Sequence, residues 1–141
     1  MNGERKYEFT WALLGNISEG RPNLGHMMRL EVYRLMQFCF RDVMEQRHGN
    51  EEADAIMYQS GYLAGAHFHR QLIGETASVA ELVKKLQSTL KDLSIGVLRV
   101  EKHDEETGEI VMTISEDLDC SGLPILDYEV CTYDEGFIAA I

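Results

Sequence analysis

Two cysteines near the end of the chain, Cys120 and Cys131, are the residues best suited to chemistry. Both stand among acidic residues. Thiolates ligate zinc well, and Asp119 or Asp134 could add weaker oxygen ligands, but the cysteines of a zinc knuckle lie only about two to four residues apart. Here ten residues separate them. The spacing alone therefore leaves two interpretations open, metal ligation or incidental small residues.

The remaining thiol and imidazole groups carry weaker signals. Cys39 falls in the apolar stripe of a predicted helix, where a buried and inert thiol is expected. His67 lies at the edge of an apolar helix face, which fits either a satisfied ring in the core or a ring that contacts a ligand. The sequence contains neither a Ser-His-Asp arrangement nor a phosphate-binding glycine loop nor a dinucleotide fingerprint. The lack of a fingerprint counts against a nicotinamide-dependent reductase.

Aromatic and thioether side chains are concentrated in the first two predicted helices. They either pack a core or line an apolar pocket. Gly61 and Gly65 lower helix propensity and stand four residues apart, which indicates the close approach of a neighbouring element or of a ligand. The pocket predicted from this region is lined by Tyr33, Phe38, Phe40, Met57, Ser60, Gly61, Ala64, His67 and Phe68.

Periodicity predicts the elements that must position these residues. Helical patterns cover 28–47, 51–73 and 79–93, and the third begins with a capping box from Ser78 to Glu81. Alternating residues predict strands over 95–101 and 109–115, joined by a hairpin turn at 104–108. A short apolar helix that begins near Gly136 ends the chain. The order predicts one α+β domain over residues 1–141, rich in helix, with an antiparallel sheet packed on one side.

The first predicted helix has an unusually wide apolar face. Its stripe contains Val32, Met36, Cys39 and Val43, whereas polar residues including Gln37 and Arg41 lie opposite. This pattern predicts a helix that is deeply packed, either in the core or at a subunit interface. The second possibility predicts a homodimer formed through this helix.

Charge and composition exclude some classes of partner. The net charge is −11, and all of the excess lies in residues 101–141, where Lys102 is the only lysine or arginine. An acidic chain is a poor match for nucleic acid, because phosphate binding needs a basic surface. The sequence has no apolar run long enough for a membrane span, and its first residues are polar rather than those of a signal peptide. With only three cysteines, a reducing cytoplasm is the expected location.

Several motifs together resemble the 4-vinyl reductase domain family, and the resemblance covers nearly the whole chain. The most specific part is the C-terminal signature. The matching segments are Gly20-Arg-Pro-Asn-Leu-Gly25, Val32-Tyr-Arg-Leu-Met36, the Gly61 and Gly65 helix, Asp117-Leu-Asp-Cys-Ser-Gly122 with Pro124, and the residues from Val130 to Ala139.

The resemblance implies a fold and a partial metal site. The family is similar in fold to TRAPP vesicle-tethering subunits, to haem-NO-binding domains and to the aromatic-sensing N-terminal domains of transcription activators. In those sensors a cysteine at the position of Cys131 ligates a structural zinc, and a Glu-x-x-Cys and a last cysteine in a later segment complete the site. That C-terminal tail is absent here. The resemblance therefore implies an incomplete zinc site at Cys131, to which Cys120 could contribute, and zinc only where the tail is restored.

The function that these observations favour is a sensory or carrier domain that binds a small apolar or aromatic molecule. The first alternative is a reductase acting on a tetrapyrrole vinyl group, which would need an external electron donor. The second is a non-catalytic scaffold or interaction module. An internal apolar cavity would favour binding over the scaffold.

Overall fold

The computed structural model describes residues 3–141 and shows an α+β fold, as the sequence predicts. A single turn of 3₁₀ helix, Trp11–Leu14, precedes five α-helices and two strands. The helices are α1 (Ile17–Gly20), α2 (Leu30–His48), α3 (Asn50–Phe68), α4 (Val79–Asp92) and α5 (Thr132–Ala139), and the strands are β1 (Val97–His103) and β2 (Ile110–Ser115). None of the helices within residues 3–141 has both the length and the apolar character needed to cross a bilayer.

Local signals explain most element boundaries. Gly49, at a positive φ of 82°, separates α2 from α3. The hydroxyl of Ser78 accepts a hydrogen bond from the N–H of Glu81, which confirms the predicted cap of α4. The second predicted helix is continuous to residue 73, but its final turn, His69–Ile73, widens to π-helical geometry. The single turn α1 lies within an otherwise irregular segment, and the Asn16 side chain caps it by accepting a hydrogen bond from the N–H of Glu19.

The hydrophobic core lies between α4, the end of α3 and the hairpin. The strands β1 and β2 pair antiparallel, with an irregularity between Val100 and Lys102. The buried core cluster consists of Phe68, Ile73, Leu86, Leu90 and Leu98. Because these side chains come from the helices and from one face of the hairpin, the sheet is covered on one side, as predicted.

Helix α2 turns its polar face, and not its apolar face, toward the rest of the protein. Its buried residues are Gln37 and Arg41, whereas Leu35 is 67% and Phe40 63% exposed. Of the two alternatives for its apolar stripe, packing in the core is wrong, and packing at a subunit interface stays a prediction. The prediction that Cys39 is buried is also wrong, since this thiol is exposed. The reason is electrostatic, because the Arg41 guanidinium turns inward between two carboxylates.

Arg41 links α2 to α3. Its Nη2 atom lies 2.6 Å from Asp54 Oδ1 and 3.2 Å from Asn50 Oδ1, and its Nε atom lies 2.9 Å from Glu45 Oε1. A buried guanidinium needs such partners, since an unpaired charge is costly to remove from water. The ion pairs therefore decide which face of α2 meets α3, and the apolar stripe is left outside.

Helices α3 and α5 cross at glycines. A Cβ atom on Gly61 would overlap the carbonyl oxygen of Tyr133, one on Gly65 would overlap the carbonyl oxygen of Phe137, and one on Gly136 would overlap that of Tyr58. Only glycine permits two backbones to approach this closely. The predicted close approach at Gly61 and Gly65 is thus confirmed, and the neighbouring element is α5.

Candidate functional site

The loop that follows β2 carries most of the candidate site, and Arg34 of α2 holds it. The Arg34 guanidinium donates hydrogen bonds to the carbonyl oxygens of Leu118 (2.7 Å), Ser121 (2.8 Å) and Asp117 (3.2 Å). The N–H of Leu118 also donates to the carbonyl of Ile95. These contacts tie the acidic loop to α2 on one side and to the start of the hairpin on the other.

Asp117 organises the loop internally. Its Oδ1 atom accepts hydrogen bonds from the backbone N–H groups of Asp119 (2.7 Å) and Cys120 (2.9 Å). An aspartate that accepts from N–H groups two and three residues later forms a turn of its own. This turn aims the two following side chains, Asp119 and Cys120, towards α5.

Asp119 is the least satisfied polar side chain of the site. It is 1% exposed, and neither of its carboxylate oxygens has a hydrogen-bond partner among the described residues. The Tyr33 side chain lies close enough that burial and the nearby Asp119 raise its pKa, although their geometry is not that of a hydrogen bond. Buried polar groups are nearly always paired, so an orphaned carboxylate indicates a missing partner.

The first turn of α5 completes the cluster. Cys131 precedes this helix and is joined to Cys120 in a disulfide, with their Cα atoms 6.5 Å apart. A carboxylate oxygen of Asp134 lies within 4.8 Å of both sulfurs, and the same distance limit holds within the group Asp117, Asp119 and Asp134. Asp134 therefore belongs to both groups of potential ligands.

Burial and charge repulsion raise the pKa values of two side chains in the first turn of α5. Burial and the adjacent carboxylates of Asp119 and Asp117 raise the pKa of Asp134 far above the usual range of an aspartate. Burial, followed by the charges of Asp119 and Asp134, raises the pKa of Tyr133 to about 12. Among residues 3–141 no lysine or arginine forms an ion pair with these carboxylates, since the Arg34 guanidinium binds backbone carbonyl oxygens of the loop instead. Such an environment favours a cation.

Because Cys120 and Cys131 are joined in a disulfide, the donor set fits the zinc that the resemblance implies only with both sulfurs reduced to thiols. Two sulfurs and a carboxylate oxygen approach one another, and an orphaned carboxylate stands beside them. Zinc takes four such ligands in structural sites. Asp119 and Asp134 were predicted as weaker oxygen donors. The structure groups Asp134 with both sulfurs, whereas Asp119 is grouped with Asp134 and Asp117. Asp117 was not predicted, although its Asp-x-Asp spacing from Asp119 was available as a signal.

A cleft between α2, α3 and α5 lies beside this cluster. Its volume is about 340 Å³. Four predicted pocket residues line it, namely Tyr33, Phe40, Met57 and Ser60. The other lining residues, which sequence reasoning did not select, are Met36, Gln37, Met44, Ile56 and Tyr133. Tyr133 lies between Cys131 and Asp134 in the chain, so the cleft and the acidic cluster share the first turn of α5.

The other predicted pocket residues lie elsewhere. Phe38 lines a different groove of about 370 Å³, together with Arg41 and residues of the 123–130 loop. Gly61 faces the backbone of α5, and Ala64 is half-buried on α3. The ring of His67 meets that of Phe9 edge to face, with 4.9 Å between centroids.

Phe68, the last residue of the predicted lining, packs in the core. Its ring meets that of Phe137 with 5.0 Å between centroids. The predicted pocket residues near the end of α3 therefore contribute to packing. The predicted residues that line the cleft come from α2 and from the middle of α3.

Comparison of the chain with family models, with curated proteins and with solved structures found no match in any of the three. The resemblance to the 4-vinyl reductase domain therefore stays a prediction that rests on the sequence motifs.

Proposed function

We propose that this protein is a sensory or carrier domain of the 4-vinyl reductase type, acting in the cytoplasm, that holds a small apolar or aromatic molecule. The observation that carries the proposal is the cleft between α2 and α3. Its volume of about 340 Å³ falls within the usual range for small-molecule sites. Aromatic and thioether side chains form much of the lining, and they offer large apolar contact to a flat ligand.

The polar atoms of the cleft would orient such a ligand. Gln37 is buried, and its Oε1 atom has no hydrogen-bond partner among residues 3–141. The hydroxyl groups of Tyr33 and Tyr133 are uncharged at neutral pH, as in any tyrosine, and burial raises both pKa values further. A ligand with one or two hydrogen-bonding groups on an apolar body would match this lining better than an ion.

We further propose that the domain works as a homodimer through α2. The exposed apolar residues of this helix include Val32, Leu35, Met36, Phe40 and Val43. A contiguous apolar face of this kind marks an interaction surface. Met36 and Phe40 belong both to this face and to the cleft, so a second copy packed on α2 would also enclose the ligand. The same face would serve the alternative role of a scaffold module.

Filling the cleft tests the binding proposal. Ser60 is exposed on α3 at the edge of the cleft, so Ser60→Trp would occupy the space without disturbing the core. Ser88→Trp is the matched control, because Ser88 is exposed on α4, away from the cleft. We expect the uncharged dye Nile red to bind the wild type and Ser88→Trp equally and Ser60→Trp at least about tenfold more weakly. Equal binding by all three proteins would contradict a ligand site in this cleft.

Sedimentation equilibrium tests the dimer separately. We expect a dimer for the wild type and a monomer for Leu35→Glu, because a buried charge at the centre of an apolar interface is strongly unfavourable. Glu8→Lys changes a charge at an exposed position outside α2 and should leave the dimer intact. A wild type that is monomeric at high concentration would rule out the homodimer and leave the dye experiment as the independent test of the cleft.

A further inference from the structure

The cluster around Asp119 has the composition of a metal site whose sulfur ligands are joined to each other. Cys120, Cys131 and Asp134 present donor atoms within 4.8 Å of one another, and a second group with the same limit joins Asp134 to Asp119 and Asp117. The second, independent observation is the burial of Asp119, whose two carboxylate oxygens have no hydrogen-bond partner within residues 3–141. A cation on the inner side of the loop would satisfy this carboxylate and offset the repulsion between the acids.

We propose that reduction of the Cys120–Cys131 disulfide creates a zinc site formed by the two cysteine sulfurs with Asp134 and Asp119. In the disulfide form the sulfurs are bonded to each other, and only the carboxylates face a cation. Zinc sites need thiolate sulfur, which a disulfide does not supply. The two oxidation states of this chain would therefore differ in their choice of metal, with zinc bound by the reduced form alone.

The proposed chemistry uses a dithiol reductant of the kind found in reducing compartments. One dithiol transfers two hydrogen atoms to the sulfurs, so that the bond between Cys120 and Cys131 breaks, both become thiols and the reductant becomes a cyclic disulfide. On binding Zn²⁺ each of the two thiols releases its proton to solvent, and two sulfur–zinc bonds form. No further oxidant or cofactor is required.

The ligands in this proposal differ from those that the family resemblance implies. That resemblance places the partners of Cys131 in a tail beyond the last helix, whereas here Cys120, Asp119 and Asp134 come from the loop and from the first turn of α5. The Arg34 contacts to the carbonyls of Asp117 and Leu118 hold the loop against α2 in advance of binding. A loop held in this way lowers the entropic cost of ligation.

Zinc titration of the two redox states is the deciding experiment. The full chain is reduced with a dithiol, desalted under anaerobic conditions and compared with the oxidised chain by elemental analysis after dialysis. We expect one zinc per reduced chain and none in the oxidised chain. Co²⁺ serves as a spectroscopic probe, and a sulfur-to-cobalt charge-transfer band should appear in the reduced chain only. The same zinc content in both states, or the absence of that band, would overturn the proposal.

Variants identify the ligands. Cys120→Ser and Asp119→Asn should each weaken zinc binding by the reduced chain at least about tenfold. Cys39→Ser is the matched control, because Cys39 is an exposed cysteine on α2 and should bind zinc like the wild type. Circular dichroism confirms that each variant is folded, and the wild-type redox comparison needs no variant. Loss of zinc in Cys39→Ser, or its full retention in a folded Asp119→Asn, would refute the assignment.

Discussion

Replacing Gly61 by alanine would test how closely α3 and α5 are packed. The new Cβ would overlap the carbonyl oxygen of Tyr133, and in the reciprocal variant Gly136→Ala it would overlap that of Tyr58. Both obstacles are backbone atoms, so no change of rotamer relieves the contact. The helices would have to separate by on the order of 1 Å to restore ordinary van der Waals distances.

The size of the effect follows from two opposing contributions. Overpacking costs about 1–3 kcal/mol and occasionally more, and an overlap with backbone belongs at the upper end. Alanine has a better helix propensity than glycine and offsets about 1 kcal/mol of this cost. We therefore expect Gly61→Ala to lower the free energy of unfolding by about 2 kcal/mol. For a chain of this size the corresponding fall in Tm is about 6–8 °C.

Thermal unfolding followed by circular dichroism provides the measurement, with Gly20→Ala as control. Gly20 lies in α1, and a Cβ there would meet nothing within 4 Å, so its Tm should change little. The double variant of Gly61 and Gly136 should be less destabilised than the sum of the single variants, because one separation of the helices accommodates both methyl groups. If Gly61→Ala is as stable as Gly20→Ala, the reasoning about the crossing fails.

Two further predictions concern the acidic loop and the hairpin. Arg34→Ala removes hydrogen bonds to three carbonyls and should lower the free energy of unfolding by about 2 kcal/mol. Amide hydrogen exchange in residues 117–121 should become faster. Arg34→Lys should recover only part of the lost stability, because one ammonium group cannot reproduce the planar set of donors of a guanidinium. The N–H groups of Thr107 and Glu106 lower the pKa of Asp104. Its contribution to stability is therefore present above about pH 4, the usual unfolded value, and is lost as the pH falls through the lower folded pKa. Urea unfolding across this pH range should show the loss in the wild type and not in Asp104→Asn.

Each of these predictions has a contradicting outcome. Unchanged exchange in 117–121 for Arg34→Ala would mean that the loop is held by its own turn at Asp117. Parallel pH profiles for the wild type and Asp104→Asn would mean that the turn N–H groups do not favour the charged carboxylate.

The order and type of the long elements could be predicted from local patterns. The cap at Ser78, the break at Gly49 and the alternation in β2 act between residues close in sequence, so they can be read without knowing the fold. The close approach at Gly61 was also predictable from local sequence, because two glycines on one helix face allow another backbone or a ligand to come close. Which element fills that room could not be inferred, because α5 lies far along the chain.

The orientation of α2 was decided by tertiary contacts. Its apolar stripe predicts burial, but Arg41 finds Asp54 and Asn50 on α3 only when its own side of the helix faces inward. Hydrophobic periodicity contains no information about such partners. The position of the cleft followed from this orientation, which places Tyr33 and Phe40 of the predicted lining beside Met44 and Tyr133, two residues that the sequence did not indicate.

For the acidic cluster, the sequence identified the ligand types, and only the tertiary structure determined that they lie together. Residue types alone indicated that Cys131 and Cys120 could serve as ligands, with Asp119 and Asp134 as weaker donors, because thiols and carboxylates have that chemistry in any fold. Their convergence depends on the turn at Asp117 and on α5 being drawn against α3 by glycine contacts. The burial of Asp119 is likewise a property of the packed structure, since an isolated carboxylate in a polar loop has no reason in its sequence to leave water.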